Sequence, residues 1–475
     1  MRILLSLILL ALISSACDNG FEALNENENQ PTSVSPAVLL PNVIYEVSYD
    51  YLWENWSVGN LVAQHGARIT YGAVDRYEWD SGTGSLWGDF YGVMADVVDI
   101  ETRAQQLDDP NYEAVSLILK AWMIHTLSDS WVDVPYTEAG RASEGIFQPK
   151  YDRQEDIYSG LLSDLNRANQ MIDPARSIEG DLLYNGDMQS WQKLANSLRL
   201  RILMRASFKR NDTGTAIQAI LDNASAPIFE SNADNAVYDF TGTIPNDSPI
   251  SQQRDWDFTR VVPSMLLMNF LLDNGDTRLL SWADPTDNTI GTDSETWVGL
   301  PNGLSEEGME AFNGGEDNVS VFDRRFLSDQ GAADAILMTY AEVQFILAEA
   351  AQRGLISGDA QTYYEQGVTA SFEQWGAEMP AEYLTTTQAF NGSLERILEQ
   401  KWLSSFMVGL EAWHDFKRTG YPSLTPGPAN VNNNLVPSRF IYPSTEQSLN
   451  TANYEEAVAR LGGDNINIKG WWEDY

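Results

Sequence analysis

The sequence predicts a mainly α-helical fold with long irregular loops. Apolar residues recur at spacings of three and four residues through most of the chain, the pattern by which a helix buries one face. Long segments rich in Gly, Asp, Asn and Trp separate these stretches. The predicted helices are Leu39–Ser48, Leu86–Leu107, Glu113–Ser130, Gln154–Ile172, Ser190–Phe208, Gly214–Asn223, Val262–Leu272, Thr339–Gly354, Ala360–Gly376, Leu394–Lys417 and Tyr454–Leu461.

Several predicted helices carry residues that favour helix ends. Asp and Ser accept hydrogen bonds from free backbone N–H groups at a helix start, and Gly takes the left-handed conformation that often follows a helix end. The candidate N-caps are Asp187, Ser190 and Asp359, and the candidate terminators are Gly354, Gly376 and Gly420.

Two of the predicted helices form a pair with a short connection. Thr339–Gly354 and Ala360–Gly376 carry small and aromatic residues in a pattern that resembles tetratricopeptide units. Such units repeat with a period of about 34 residues, and no strict repeat of that period occurs in this chain. We therefore expect degenerate tetratricopeptide-like helix pairs.

Four long segments fall between the helices, at roughly 66–86, 224–260, 281–335 and 421–450. Loops of this length in a compact domain are usually functional or disordered. Their aromatic content argues against disorder. We expect them to be ordered and to carry the binding function.

The N-terminus has the features of a lipoprotein signal peptide. Arg2 precedes an apolar stretch, Ile3–Ile13, and the small residues Ser14–Ala16 lead to Cys17, the single cysteine of the chain. The apolar stretch is too short to span a bilayer as a helix. A cysteine directly after the small residues marks a lipobox, in which its thiol is acylated before cleavage. Cys17 is therefore the predicted lipidation site.

This interpretation divides the chain into three parts. Residues 1–16 are the signal peptide, residues 17–36 a polar, flexible leash, and residues 37–475 a single ligand-binding domain. No later segment is a candidate membrane span. A mature chain with one acylated cysteine cannot form an internal disulfide.

Charge excludes one class of partner. The chain has 68 acidic and 29 basic residues, for a formal net charge of −39. Nucleic-acid binding depends on Lys and Arg that neutralise phosphates, so we do not expect a nucleic-acid partner.

A segment rich in aromatic residues is the strongest candidate for a ligand surface. Sugar rings present flat C–H faces to aromatic rings, and their hydroxyls need short polar partners. The segment at 70–88 supplies both kinds of side chain: Tyr71, Asp75, Arg76, Tyr77, Glu78, Trp79, Asp80 and Trp87. Trp53 and Trp56, at helical spacing, are expected to pack in the core.

Catalytic and metal sites are not predicted. His65, His125 and His414 have no spacing that suggests a metal site or a catalytic triad, and no cofactor motif is present. An acidic loop at 314–323 could hold calcium, although chance clusters are expected in so acidic a chain. The three arginines Arg199, Arg201 and Arg205 are expected to lie on a solvated helix face that pairs with carboxylates.

Several motifs in order resemble the SusD/RagB family of outer-membrane lipoproteins. They are FEALNENENQPTSVSPAVLLPNVI, SDSWVDVPYTEA followed by PKYDRQEDIYSGLLSDL, DLLYNGDMQSWQKLANSLRLRILMR, TYAEVQFILAEAAQRGLISGDAQTYYEQGVTAS, QKWLSSFMVGLEAWHDFKRTGYP, and the closing RFIYPSTEQSLN with GGDNINIKGWWE. The resemblance covers most of the mature chain. Ser14 departs from the leucine that lipoboxes usually carry.

The resemblance implies a surface-exposed, non-enzymatic protein on the outer membrane. Such a protein would cap a SusC-like TonB-dependent transporter and bind oligosaccharide or polysaccharide before import. Because binding in the family also draws on loops late in the middle third, Trp256, Trp282 and Trp297 are weaker candidates for ligand contacts.

Three alternatives stay open at the level of sequence. The protein could capture peptides for a peptide importer, as some relatives do. It could be a surface glycoside hydrolase that uses two carboxylates about 5–9 Å apart. It could also be a structural lid without a ligand of its own.

Overall fold

The structure is a computed structural model that describes residues 35–329 and 332–473. The predicted signal peptide, Cys17 and all but the last two residues of the leash lie outside the described residues. The described chain is largely helical with four short strands, which confirms the mainly α prediction.

The helices, in chain order, are α1 Pro36–Glu54, α2 Leu86–Gln106, α3 Pro110–Trp131, α4 Gln154–Met171, α5 Met188–Arg205, α6 Thr213–Leu221, α7 Asp255–Phe258, α8 Met265–Asp273, α9 Leu279–Trp282, α10 Glu306–Ala311, α11 Arg325–Ser328, α12 Tyr340–Gln352, α13 Ala360–Gln374, α14 Leu394–Ser404, α15 Glu411–Thr419, α16 Ser444–Leu449 and α17 Thr451–Leu461. A π-helical turn, Asn55–Gly59, and a short turn of helix, Asn60–Val62, continue α1. Short 3-10 turns lie at Ala142–Glu144, Asn232–Asp234, Phe312–Gly314 and Glu316–Asn318.

The strands form two antiparallel ribbons. β1 Gly66–Arg68 pairs with β3 Val261–Pro263, and β2 Ala236–Tyr238 pairs with β4 Ala335–Met338. Each ribbon joins segments that are far apart in the sequence. The ribbons therefore fix where the long loops meet.

Helix α3 is the centre of the core. Asp109 caps its first turn, with Oδ1 accepting from the Asn111 and Tyr112 N–H groups, and Pro110 occupies the first helical position. Nearly every residue of α3 is buried, as expected for a helix surrounded by others. It packs against α2 and α4, and α4 packs in turn against α5.

Helices α12 and α13 form the predicted tetratricopeptide-like pair, and α14 packs against both. Thr339 and Asp359 cap the two helices. Gly367 lets the helices approach closely, because a Cβ there would lie 2.9 Å from the Phe345 ring. The predicted terminators Gly354, Gly376 and Gly420 all have positive φ, which confirms them.

Two predicted helices are wrong in part. The predicted helix Leu394–Lys417 is divided into α14 and α15, with Met407 and Gly409 at positive φ between them. Gly409 packs so tightly on the Tyr51 ring that a Cβ would lie 1.9 Å from it. This contact with α1 interrupts the helix, and hydrophobic periodicity alone does not reveal it. The predicted helix Val262–Leu272 begins as strand β3, and helix α8 starts only at Met265.

Charged side chains form a cluster in the interior, on the buried side of α5. Arg201 and Arg205 are each 2% exposed, so the expectation of a solvated arginine face is wrong for both. Arg201 donates two hydrogen bonds to Glu342, at 2.6 and 2.5 Å. Arg205 pairs with Asp129, Glu411 and Asp415. The arginines do pair with carboxylates as expected, but inside the core.

No helix within residues 35–329 and 332–473 combines the length and the apolar character that crossing a bilayer requires.

Candidate functional site

Tyr71 and Trp256 form an exposed aromatic pair. Their ring centroids are 6.3 Å apart, with the ring planes at 75°. Tyr71 is 71% exposed and Trp256 is 52% exposed, although large aromatic side chains are usually mostly buried. We call these two rings the aromatic corner.

The ribbon of β1 and β3 brings the two rings together. The Ile69 N–H donates to the Arg260 carbonyl at 3.0 Å, one step beyond the strands. The loop after β1 and the short helix α7 before β3 therefore meet at one end of the ribbon. The sequence alone does not predict this contact, because Tyr71 and Trp256 are separated by most of the first half of the chain.

Tyr71 is held in a strained backbone conformation. Its φ of +55° lies in the left-handed region, which side chains other than Gly, Asn and Asp rarely adopt. The turn that follows is fastened to α10, since Glu306 Oε1 accepts from the Gly72 N–H at 3.4 Å and from Arg76 at 3.1 Å. Strain of this kind is common at binding sites. It fixes the direction of the exposed ring.

The charged pair of Arg260 and Glu316 packs against the Trp256 ring. The Arg260 guanidinium lies 5.0 Å from the indole centroid and pairs with Glu316 at 2.6 Å. The Arg260 Nε also donates to the Trp256 carbonyl at 3.1 Å. A cation on one face stabilises the indole and leaves much of its surface open. Arg260 and Glu316 were not predicted. Arg260 directly precedes β3, and Glu316 reaches the site through its ion pair with Arg260.

The aromatic corner offers two ring surfaces that are not coplanar, with carboxylates and guanidinium groups close by. Aromatic contacts contribute about 0.5–1.5 kcal/mol each beyond the area they bury. The arrangement can hold a ligand with flat apolar faces and a hydroxyl-rich rim.

Asp75 and Arg76 lie at the base of the same turn and have structural partners. Asp75 is 2% exposed and accepts hydrogen bonds from Asn302 at 2.7 Å and from the Gly303 N–H at 3.0 Å. Burial raises the pKa of Asp75 to about 6. Arg76 pairs with Glu306 and with Glu78. The prediction that Asp75 contacts a ligand is therefore corrected, because its carboxylate is buried and has structural partners. Arg76 lies at the edge of the aromatic corner.

Three predicted ligand aromatics are buried, which corrects the prediction that they reach a ligand. Tyr77, Trp79 and Trp87 are 2%, 7% and 5% exposed. Trp79 stacks on Phe440, with centroids 4.9 Å apart, and its Nε1 donates to the Val74 carbonyl. The loop from 421 to 450 covers this part of the 70–88 segment, so these rings pack the core.

The other predicted tryptophans also differ in how far they are buried. Trp282 is fully buried and packs against Phe406, with centroids 4.6 Å apart, so it is also corrected. Trp297 is partly buried and its Nε1 donates to the Ala283 carbonyl at 3.2 Å. Trp56 is buried as expected, whereas Trp53 is 38% exposed on α1, contrary to expectation.

The histidines are structural groups of the interior. Burial lowers the pKa of His65 to about 3 and that of His125 to about 4. His414 Nε2 lies 3.0 Å from Ser130 Oγ, which fits the structural role expected for it. Within the part of the chain that the structure describes, no group of His, Cys, Asp or Glu is arranged to hold a metal ion.

Comparisons with known proteins identify the family. The family model of the SusD-like proteins, described as starch-binding and associating with the outer membrane, matches residues 28–443. No curated protein matches the chain by sequence.

Solved structures agree with the family match. The chain is similar to a chitin-binding protein with 30% identity and a TM-score of 0.82, covering 93% of this chain and all of that one. It is also similar to two SusD homologues from Bacteroides fragilis. The first has 26% identity and a TM-score of 0.80, and the match covers 92% of this chain and 100% of that one. The second has 27% identity and a TM-score of 0.77, and the match covers 93% of this chain and 99% of that one. Because the family model matches residues 28–443 and solved SusD homologues share the fold, the chain belongs to the SusD-like family.

Proposed function

We propose that the protein captures oligosaccharide or polysaccharide at the outer-membrane surface and delivers it to a SusC-like TonB-dependent transporter. The aromatic corner carries this proposal. Tyr71 and Trp256 stand exposed, Tyr71 at a backbone position that is costly to maintain, in a family described as starch-binding. Two solvent-exposed rings at one end of a ribbon contribute nothing to the core, so a ligand is the simplest reason for their placement.

The N-terminal sequence supports the proposed location. A signal peptide at 1–16, acylation at Cys17 and a polar leash to residue 36 would tether the body, residues 37–475, to the membrane. A single acyl chain gives only marginal membrane binding. Bacterial lipoproteins carry several chains, and we expect the same of this anchor.

The corner favours weak, reversible capture over catalysis. A micromolar dissociation constant already requires about 8 kcal/mol of binding free energy. The two aromatic contacts of the corner support roughly micromolar or weaker binding, which suits a protein that passes its ligand on. The proposed role includes no chemical step.

Substitution of the corner tests the proposal. Trp256→Ala and Tyr71→Ala are each expected to weaken glycan binding by about tenfold or more, because each removes one stacking surface. Affinity gels with a panel of glycans, followed by calorimetry on the best ligand, measure the change. The free energy of unfolding of each variant should lie within about 0.5 kcal/mol of that of the natural protein.

Trp53→Ala is the matched control, since Trp53 is also exposed but lies on α1. It should leave glycan affinity unchanged. Equal loss of affinity in Trp53→Ala and Trp256→Ala would contradict a ligand site at the corner. Peptide binding without glycan binding would favour peptide capture, and release of reducing sugar by the purified protein would reveal an enzyme.

A further inference from the structure

Helix α1 is apolar on two opposite sides. The inner side packs into the core through Leu40, Val43 and Val47, which are fully buried. The outer side carries a stripe of apolar and aromatic side chains at intervals of seven and four residues: Val38, Tyr45, Tyr49 and Trp53. Residues at these intervals lie on one face of a helix. A helix that is apolar on opposite sides is normally enclosed from both, so the outer side of α1 calls for a partner.

The outer stripe is open to solvent. Val38 is 66% exposed and Trp53 is 38% exposed. Tyr45 and Tyr49, between them, are half-buried, and their ring centroids are 5.8 Å apart. Ile244, 86% exposed, lies beside Tyr45, because the carbonyl of the residue that follows it accepts from the Tyr45 hydroxyl at 2.8 Å. We call these five side chains the α1 face.

The tyrosines of the α1 face are fixed by aromatic contacts beneath them. Phe240 contacts both rings edge-on, with centroids 6.4 Å from Tyr45 and 6.5 Å from Tyr49, and Tyr238 contacts Tyr45 at 6.1 Å. Gln252 accepts from the Tyr49 hydroxyl at 3.3 Å. Side chains that are already fixed lose little conformational entropy when a partner covers them. Because Trp and Tyr carry much of the binding energy of protein interfaces, the face suits a protein partner.

The charge around the α1 face is negative. Residues 17–67 include seven acidic residues and no Lys or Arg. Glu46 and Asp50 lie on α1 beside the stripe, and neither takes part in an ion pair in the described ranges 35–329 and 332–473. Burial and the charges of Asp89, Glu46 and Glu54 raise the pKa of Asp50 to about 7. The face therefore fits a partner that surrounds an apolar patch with Lys or Arg.

A lipid surface fits the α1 face less well than a protein does. Helices that lie on membranes combine an apolar side with a polar side rich in Lys and Arg, which attract anionic headgroups. Helix α1 has no basic residue. The predicted leash nevertheless leads from Cys17 directly into Pro36, the first residue of α1, and so keeps this helix close to the anchor. The occupant that these observations favour is a protein of the same membrane.

We propose that the α1 face docks on the SusC-like transporter, at a surface that combines apolar side chains with Lys or Arg. This inference rests on the proposed function, which supplies the transporter, and adds the surface that contacts it. The partner would cover Trp53 and the two tyrosines, and its cations would pair with Glu46 and Asp50. The aromatic corner shares no residue with the α1 face, so glycan binding by the isolated protein is independent of it.

Binding between purified proteins tests the proposal. The full-length, lipidated protein and the SusC-like transporter of the same outer membrane are purified separately in detergent, and thermophoresis measures their dissociation constant. Trp53→Ala is expected to weaken the complex by about tenfold or more, because aromatic anchors dominate interface energies. Glu46→Lys is expected to weaken it by about threefold or more. The Glu46→Lys complex should also lose less affinity than the natural one when NaCl rises from about 0.1 to about 1 M.

Phe147→Ala is the matched control for Trp53→Ala. Phe147 is 77% exposed in the loop before α4, where Gln148 Nε2 donates to the Leu449 carbonyl at 2.7 Å. Phe147→Ala should leave the dissociation constant of the complex unchanged. Equal weakening by Phe147→Ala and Trp53→Ala would overturn the proposal, and so would unchanged affinity in both Trp53→Ala and Glu46→Lys.

Photocrosslinking in the outer membrane identifies the occupant. Val38→benzoylphenylalanine in the full chain should crosslink to the transporter, whereas Phe147→benzoylphenylalanine should not. A crosslink from position 38 to a second copy, to lipid or to the leash in place of the transporter would overturn the assignment. If the transporter does not bind the natural protein, delivery as part of the proposed function fails as well. If it binds and Trp53→Ala does not weaken it, only the α1 face is wrong.

Discussion

Replacing Trp79 with alanine is expected to lower the free energy of unfolding by about 3–5 kcal/mol, the usual cost of removing a buried tryptophan. Trp79 stacks on Phe440 and contacts Trp413 edge-on, with centroids 5.6 Å apart. The substitution leaves a cavity between the loop at 70–88 and the loop that covers it. Urea denaturation followed by fluorescence measures the change.

This expectation reverses the role that the sequence assigned to Trp79. The matched comparison is Trp256→Ala, which removes the same side chain from an exposed position and should change stability by less than about 0.5 kcal/mol. The folded fraction of Trp79→Ala should bind glycan normally. Normal stability together with lost binding in Trp79→Ala would show that Trp79 belongs to the ligand surface after all.

Replacing Arg205 with methionine is expected to lower the free energy of unfolding by about 3–5 kcal/mol, because it leaves the buried Asp129 carboxylate without a charged partner. Arg205 Nε lies 3.0 Å from Asp129, and its terminal nitrogens pair with Glu411 and Asp415. Burial opposes the charge on Arg205, but these three carboxylates outweigh it and raise the pKa of the guanidinium. Denaturation by urea at neutral pH measures the loss.

A surface arginine gives the control for this prediction. Arg141 pairs with Glu144 at 3.0 Å, and both side chains are exposed. Arg141→Met should cost no more than about 1 kcal/mol, as exposed ion pairs do. If Arg205→Met and Arg141→Met lose similar amounts of unfolding free energy, burial does not determine how much the ion pairs around Arg205 stabilise the fold.

The helical scaffold is predictable because its signals are local. Apolar spacing and capping residues lie within one helix, so the predicted Leu86–Leu107 and the observed α2 differ by a single residue. The same reasoning placed the helix pair α12 and α13, together with the Asp359 cap. Each of these features depends on neighbours a few residues away.

The ligand surface is harder to predict because exposure depends on distant segments. Tyr71 and Trp79 lie in one aromatic segment, but Phe440 covers Trp79 and leaves Tyr71 open. The break between α14 and α15 likewise depends on the contact of Gly409 with Tyr51. Arg205 fits a solvated helix by its spacing, and only the approach of α15 shows that it is buried.

A crystal structure of the protein with a bound oligosaccharide tests the central claim most directly. The ligand should be one identified by the glycan panel, at a concentration well above its dissociation constant. We predict sugar rings in van der Waals contact with Tyr71 and Trp256, beside Arg260 and Arg76. Electron density for the sugar elsewhere, with both rings of the aromatic corner open to solvent, would contradict the account.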